Sequence, residues 1–137
     1  MAIRIYYEDT DAGGVVYYAN YLKFAERART ELLRLNGWEN GRLAAADYEG
    51  LDRGVVFVMR RCEVDYLRSA VLDDLVEVRT RVTRVGAAIL EMAQEFRRGG
   101  EVLARLKAKL ACVAADGMHP VRLPKVLRAG MAALEGN

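Results

Sequence analysis

Apolar residues change their period along this chain, and the change marks out the elements. From Asn20 onward they fall at Tyr21, Phe24, Ala25, Ala28, Leu32 and Leu35, spacings of three and four that put one stripe on a helix. Lys23, Arg27, Thr30 and Arg34 take another face, Arg27 and Glu31 stand at i,i+4 spacing, and Gly37 after Asn36 supplies a stop. This predicts a helix from about Asn20 to Asn36, with Asn20 as its N-cap. Farther along the period drops to two. Val76, Val78, Thr80 and Val82 alternate with Glu77, Arg79, Arg81 and Thr83; Leu90, Met92 and Phe96 oppose Glu91 and Glu95; Val102, Ala104, Leu106, Ala108, Leu110 and Cys112 oppose Arg105, Lys107 and Lys109. Each run reads as a half-buried antiparallel strand. Val85-Gly86 and Gly99-Gly100 read as hairpin turns, Asp73-Asp74 as a further turn, and Val55 to Tyr66 as another strand.

The flanks complete the pattern. Ile3, Ile5, Tyr6 and Tyr7 make Ala2 to Glu8 an opening strand, Asn40 to Tyr48 suits a short second helix, and Pro124 suits the first turn of a terminal helix with Val126, Leu127 and Met131 inward. One apolar helix covering a long antiparallel sheet is an α+β solution. With no linker, repeat or low-complexity tract, residues 1–137 read as a single domain. A meander leaves strand edges unpaired, and pairing with a second subunit is the usual remedy, so a dimer is expected.

Composition narrows the chemistry. At 53% hydrophobic and 29% charged residues the chain is neither disordered nor fibrous. Its only histidine, His119, sits in the turn-like stretch Asp116 to Pro120, and its two cysteines, Cys62 and Cys112, lie inside strand runs. No metal site, no serine or cysteine triad and no disulfide framework is expected from so few ligands. The net charge of +2 comes from interspersed charges, which gives no support to nucleic-acid binding. Neither a signal peptide nor an 18-residue apolar run is present, so no membrane span and a cytoplasmic location are expected.

Candidate chemistry concentrates between Tyr7 and Tyr21. Asp9 and Asp11 lie on a loop that leads through Gly13 and Gly14 into the start of the predicted helix, where unpaired N–H groups favour negative charge. A carboxylate beside such donors combines a base or nucleophile with an oxyanion site, which suits hydrolysis of an activated carbonyl. Turn chemistry accounts for the same residues, so the local pattern leaves both readings open.

The run Tyr7-x-Asp9-Thr10-Asp11-x-x-Gly14-x-Val16-Tyr17-Tyr18-x-x-Tyr21, continued by Phe24-x-Glu26-x-Ala28-Arg29, closely resembles the signature of the YbgC and 4-hydroxybenzoyl-CoA thioesterase families of the hotdog fold. Val64 to Ala70 with Asp73-Asp74, and Ala111-Cys112-Val113 through Arg122-Leu123-Pro124, resemble their later blocks. The resemblance implies a long helix wrapped by an antiparallel sheet, dimers that commonly assemble into homotetramers, and hydrolysis of acyl-CoA thioesters at the dimer interface. It implies no cofactor, since coenzyme A is part of the substrate. The family's essential carboxylate maps onto Asp11 and its carbonyl-polarising N–H onto Tyr18. Tyr7 maps to a site-lining position, and Gly14, Val16 and Asn20, within the same motif, are candidate substrate-binding residues. Asp9 is expected to hold the loop through local backbone hydrogen bonds.

Many YbgC-like proteins resemble this chain except for a histidine where it has Tyr18; hydroxybenzoyl-type enzymes resemble it in having tyrosine there. The inferred mechanism therefore uses Asp11 with helix-terminus N–H donors, and the Tyr18 phenol either orients water, lines the acyl pocket or packs. Short-chain or aromatic acyl groups are expected, with acyl-carrier-protein thioesters as an alternative form of substrate. Arg60, Arg61, Arg84, Arg97 and Arg98 are candidates for the coenzyme A phosphates, none preferred, because Gly86-Ala87-Ala88 stands where the hydroxybenzoyl-type enzyme has a basic cluster. Two other classes are weighed: a hotdog acyl dehydratase, which needs an active-site histidine, and a non-catalytic acyl-binding protein associated with the cell envelope.

Overall fold

The computed structural model of the chain describes residues 1–136. Strand β1 (Ala2–Arg4) and a 3₁₀ turn (Tyr7–Asp9) precede the long helix α1 (Ala19–Leu35) and the short helix α2 (Asn40–Ala44). Strands β2 (Val55–Tyr66), β3 (Leu75–Val85), β4 (Ile89–Arg98) and β5 (Glu101–Ala114) follow, and α3 (Lys125–Ala132) ends the order. The sheet is antiparallel with strand order β1-β3-β4-β5-β2, so among the described residues β2 presents its second edge to no other strand. This is the α+β arrangement that the two periods predict.

The core has two parts. Ile5, Tyr21, Phe24, Ala28, Val78, Phe96 and Leu106 pack around the first half of α1, while Leu33, Leu43, Val82, Leu90, Met92, Leu110 and Leu127 pack around its end. Between them runs a polar layer. Arg29 follows Ala28 on α1, Gln94 sits between Met92 and Phe96 on β4, and Thr80 sits between Val78 and Val82 on β3. A guanidinium N–H of Arg29 donates to Gln94 Oε1 at 2.9 Å, and Gln94 Nε2 donates to Ala25 O at 2.9 Å and to Thr80 Oγ1 at 3.0 Å. Buried polar groups need such partners, and together they define how α1 sits on the sheet.

Several expectations are corrected. The opening strand ends at Arg4, and Tyr7–Asp9 form a 3₁₀ turn because the Asp9 carboxylate accepts the Tyr6 N–H at 2.9 Å and curls the chain back. Asn20 is not the N-cap of α1; the helix starts one residue earlier, Tyr18 occupies the cap position, and Asn20 donates its side-chain amide to Asp9 O at 2.9 Å. Leu35 is exposed, because a straight helix crossing a twisted sheet buries Arg29 and Leu33 at its far end instead. Glu31 pairs with Arg34 rather than with Arg27. Helix α2 is shorter than its stretch of sequence, Pro124 precedes α3 at its cap, and Val126 faces outward while Leu127 and Met131 are buried.

One irregularity matters for the site. The register of β2 against β5 shifts between Met59 and Arg61, leaving Arg60 as the extra residue. Such a bulge reverses the alternation of side chains. Tyr66, Val64 and Cys62 therefore share a face with Met59 and Phe57.

Candidate active site

The segment from Tyr6 to Tyr21 is tied to itself at nearly every residue. Asp9, only 8% exposed, is its hub: its carboxylate accepts the Tyr6 N–H, and its carbonyl accepts both the Tyr17 N–H at 3.0 Å and the Asn20 amide. Thr10 Oγ1 closes the 3₁₀ turn on Tyr7 O at 2.8 Å. Beyond it the chain reverses. Asp11 N donates to Val15 O at 2.9 Å, Gly14 N donates to Asp11 O at 3.0 Å, and Thr10 bridges Val16. Gly14 has φ +78°, a left-handed conformation in which a side chain is strained, which is why glycine ends this turn. A Cβ on Gly13 would come within 3.3 Å of Asp11 Oδ1, the atom that accepts the Gly13 N–H at 2.8 Å.

That bond commits one oxygen of the Asp11 carboxylate. The other meets no described residue and faces solvent. The loop is anchored to the sheet by Val16 N, which donates to Ala70 O at 2.9 Å, and by the bridge between Val15 and Val71. Where the chain then enters α1, Asn20 N turns back to Tyr17 O and Tyr21 N to Tyr18 O. The N–H groups of Tyr18 and Ala19 donate to no described residue. Two free donors at the positive end of a 17-residue helix, with a carboxylate on the adjoining turn, can hold a developing oxyanion while that carboxylate works on the carbon beside it.

Tyrosines frame this end of the helix. Tyr18, 61% exposed, lies against Tyr17 and Tyr66, with ring centroids 4.8 and 6.1 Å away. Tyr66 donates its hydroxyl to Tyr18 O at 3.1 Å and stacks edge-on against Tyr21, whose own hydroxyl accepts the Ala70 N–H at 3.1 Å. Burial pushes the Tyr66 and Tyr21 phenols above the ordinary value, as the hydrogen bond with Tyr18 does for Tyr17, so these three are neutral at pH 7.

The structure thus brings Asp11, Gly14, Asn20 and Tyr18 into one bonded loop, while Tyr7 is highly exposed beside it and Val16 is buried in the core. His119 is exposed in its turn, and the cysteines are free, Cys112 buried and Cys62 partly so. Burial alone raises the Cys112 thiol to about 11. Of the candidate arginines, Arg61, Arg84 and Arg97 pair with Glu63, Glu91 and Glu95, and Arg98 with Asp74 and Glu101. Among the described residues no group of three or more His, Cys, Asp or Glu side chains is placed to hold a metal, and no helix is long and apolar enough to cross a membrane. Sequence reasoning places Arg29 and Tyr66 within the motifs of the resemblance without giving them a role, and passes over Gln94. The signal for Arg29 and Gln94 was a polar side chain at an inward position: Arg29 next to the apolar stripe, and Gln94 on the Leu90, Met92 and Phe96 face.

Comparison with known proteins adds three findings. The family model of the thioesterase-like superfamily matches residues 6–131. The acyl-CoA thioesterase YbgC of Haemophilus influenzae is 41% identical over 133 residues, which cover 97% of this chain and 93% of that protein. Among solved structures, a probable thioesterase from Bartonella henselae superposes with a TM-score of 0.82 at 37% identity, covering 90% of this chain and 97% of that one. A hypothetical protein from Thermus thermophilus does so with a TM-score of 0.88 at 27% identity, covering 98% of both.

Proposed function

The chain belongs to the thioesterase-like superfamily, and from that premise we propose that it is an acyl-CoA thioesterase whose reaction centres on Asp11 and the start of α1. The observation that carries this is the pairing of a solvent-facing Asp11 oxygen with the two free N–H groups of Tyr18 and Ala19 on one internally bonded loop. The thioester carbonyl oxygen points at those N–H groups, which stabilise the negative charge it acquires when the carbon is attacked. Asp11 supplies the attacking oxygen in one of two ways. As general base it takes a proton from water, and the hydroxide adds to the carbon; as nucleophile it adds directly, giving an acyl-aspartyl anhydride that water then opens. In both, the C–S bond breaks and coenzyme A departs as thiolate. Thiols have pKa values near about 8.5, so the leaving group needs little acid help and no histidine.

The tyrosine end of the helix suits a short-chain or aromatic acyl group, with Tyr7 and Tyr18 as its walls. A second copy is part of this reading. Leu22, Met59, Tyr66 and Leu67 are exposed near the open edge of β2, and a partner strand there would cover both the edge and these side chains. The site would then lie at a subunit interface.

Thiol release from a panel of acyl-CoA thioesters tests the assignment. Asp11→Asn is expected to lose about two to four orders of magnitude in turnover, the scale of a general-base or nucleophile contribution. Comparable turnover by the variant would remove Asp11 from the mechanism. Label in the Asp11 carboxylate after a single turnover in ¹⁸O-water is expected only if an anhydride forms and water opens it at the aspartyl carbonyl; opening at the acyl carbon sends the label to the product acid, as the general-base route does.

A further inference from the structure

The peptide unit that joins Tyr18 to Ala19 is held at one end and open at the other. Its N–H, on Ala19, donates to no described residue and is one of the two donors at the start of α1. Its carbonyl, on Tyr18, accepts the Tyr21 N–H at 3.2 Å and the Tyr66 hydroxyl at 3.1 Å. A peptide bond is planar, so whatever fixes the carbonyl also fixes the direction of the N–H. No side chain of the cap residue bonds to the first turn of α1, and helix ends fray where nothing holds them. Among the described residues, Tyr66 is the one side chain bonded to this peptide unit.

Tyr66 is itself firmly placed. It is the last residue of β2, where it pairs with Ala104, and the two residues after it, Leu67 and Arg68, both donate their N–H groups to Leu103 O, at 2.9 and 3.0 Å. Its ring stands edge-on to Tyr21 at 5.4 Å, and Tyr21 stands edge-on to the buried Phe96 of β4 at 5.3 Å. These contacts tie the hydroxyl to the middle of the sheet, although the carbonyl it serves lies 48 residues earlier in the chain. Burial holds the phenol above its ordinary value, so it stays protonated and a donor at pH 7. Hydrogen bonds in series polarise one another: a donor on the carbonyl draws charge through the amide and makes the N–H at its other end a stronger donor.

Resting on the thioesterase reading above, we propose that Tyr66 is a positioning residue for the reaction: its hydroxyl pins and polarises the Tyr18–Ala19 peptide unit, so that the Ala19 N–H is already aimed at the oxygen that becomes negative. The hydroxyl acts through the Tyr18 carbonyl and not on the substrate. Such preorganisation matters because a donor that must turn during the reaction gives back part of the stabilisation it supplies. The Tyr18 N–H belongs to the preceding peptide unit, whose carbonyl, on Tyr17, accepts the Asn20 N–H at 2.8 Å. Tyr66 therefore governs one of the two donors and leaves the other to the loop.

The test uses Tyr66→Phe in the full-length protein, a change that keeps the ring against Tyr18 and Tyr21 and removes only the hydroxyl of a residue that is 45% exposed. In thiol release from acyl-CoA thioesters, kcat and kcat/KM are expected to fall together by about three- to tenfold with KM unchanged, the scale of one hydrogen bond realised in the transition state. Amide NMR of the substrate-free, ¹⁵N-labelled protein gives a second readout that packing alone does not move. A hydrogen bond to the preceding carbonyl deshields an amide, so the Ala19 resonance is expected to shift upfield in Tyr66→Phe, and farther than those of Tyr18, Asp11 and Gly14. Wild-type kcat in the variant overturns the proposal, as does a rise in KM with kcat unchanged, which would make Tyr66 part of a substrate wall. Equal movement of all four amides also overturns it, because the hydroxyl would then support the loop at large. Absence of thiol release from every acyl-CoA by the wild type defeats the thioesterase reading and this inference with it; normal wild-type turnover that Tyr66→Phe retains defeats this inference alone.

Discussion

Asp9 and Asp11 stand two residues apart in a motif that treats them alike, yet burial separates their roles. Asp9 points inward and satisfies the Tyr6 N–H, while Asp11 points outward and keeps one oxygen unengaged. Removing a buried acceptor leaves its donor unsatisfied, at a cost of about 1–3 kcal/mol. Asp9→Ala is therefore expected to lower unfolding stability by that amount in urea titrations, whereas Asp11→Asn leaves stability nearly unchanged and removes turnover. Sequence alone places both aspartates on the loop, and a preference for local backbone bonding singles out Asp9. It misplaces Asn20, whose amide serves Asp9 O across eleven residues instead of capping α1, of which it is the second residue. A cap residue is chosen by local propensity, and a tertiary bond overrode it.

At the scale of elements, the corner where β3 begins and β4 ends shows how charge supports the sheet beside the site. Asp74 accepts the Val71 N–H at 2.9 Å and pairs with Arg98, which also pairs with Glu101 and donates to Ser69 O. Burial by itself would raise the Asp74 carboxyl, but the Val71 N–H and the Arg98 guanidinium outweigh it and hold the group below its ordinary value. A depressed carboxylate contributes stability that is fully present above its unfolded pKa, near about 4, and is lost as pH falls through the folded value. Asp74→Asn keeps an acceptor for Val71 and loses the ion pair. Its expected cost is about 1–2 kcal/mol at pH 7, between the values for exposed and buried pairs, and the gap from wild type should close as urea titrations are repeated below about pH 4. A gap independent of pH would show that the ion pair contributes nothing. The period-two pattern identified β2 to β5 closely, and it located this turn at Asp73-Asp74. It could not show that Arg98, at the far end of β4, closes the corner, because that contact joins residues 24 apart.

For the molecule as a whole, the exposed apolar residues gather near the open edge of β2 and the tyrosine end of α1, the region where the candidate site lies. Edges of this kind invite another strand, so light scattering is expected to give at least twice the 15.3 kDa chain mass, and a monomer at micromolar concentration would contradict an interface site. The sequence by itself determined the α+β class, the long helix, four of the five strands at close to their full length, and the loop carrying Asp11, because periodicity and turn chemistry are local and repeat over many residues. Only the tertiary structure decided which inward positions are polar by design. It joined Arg29, Gln94 and Thr80 across three elements, turned β2 at Arg60 so that Phe57, Met59, Cys62, Val64 and Tyr66 share one face, and left the Tyr18 and Ala19 N–H groups without partners among the described residues. These depend on which residues meet across long separations in the chain, and no local pattern carries that information.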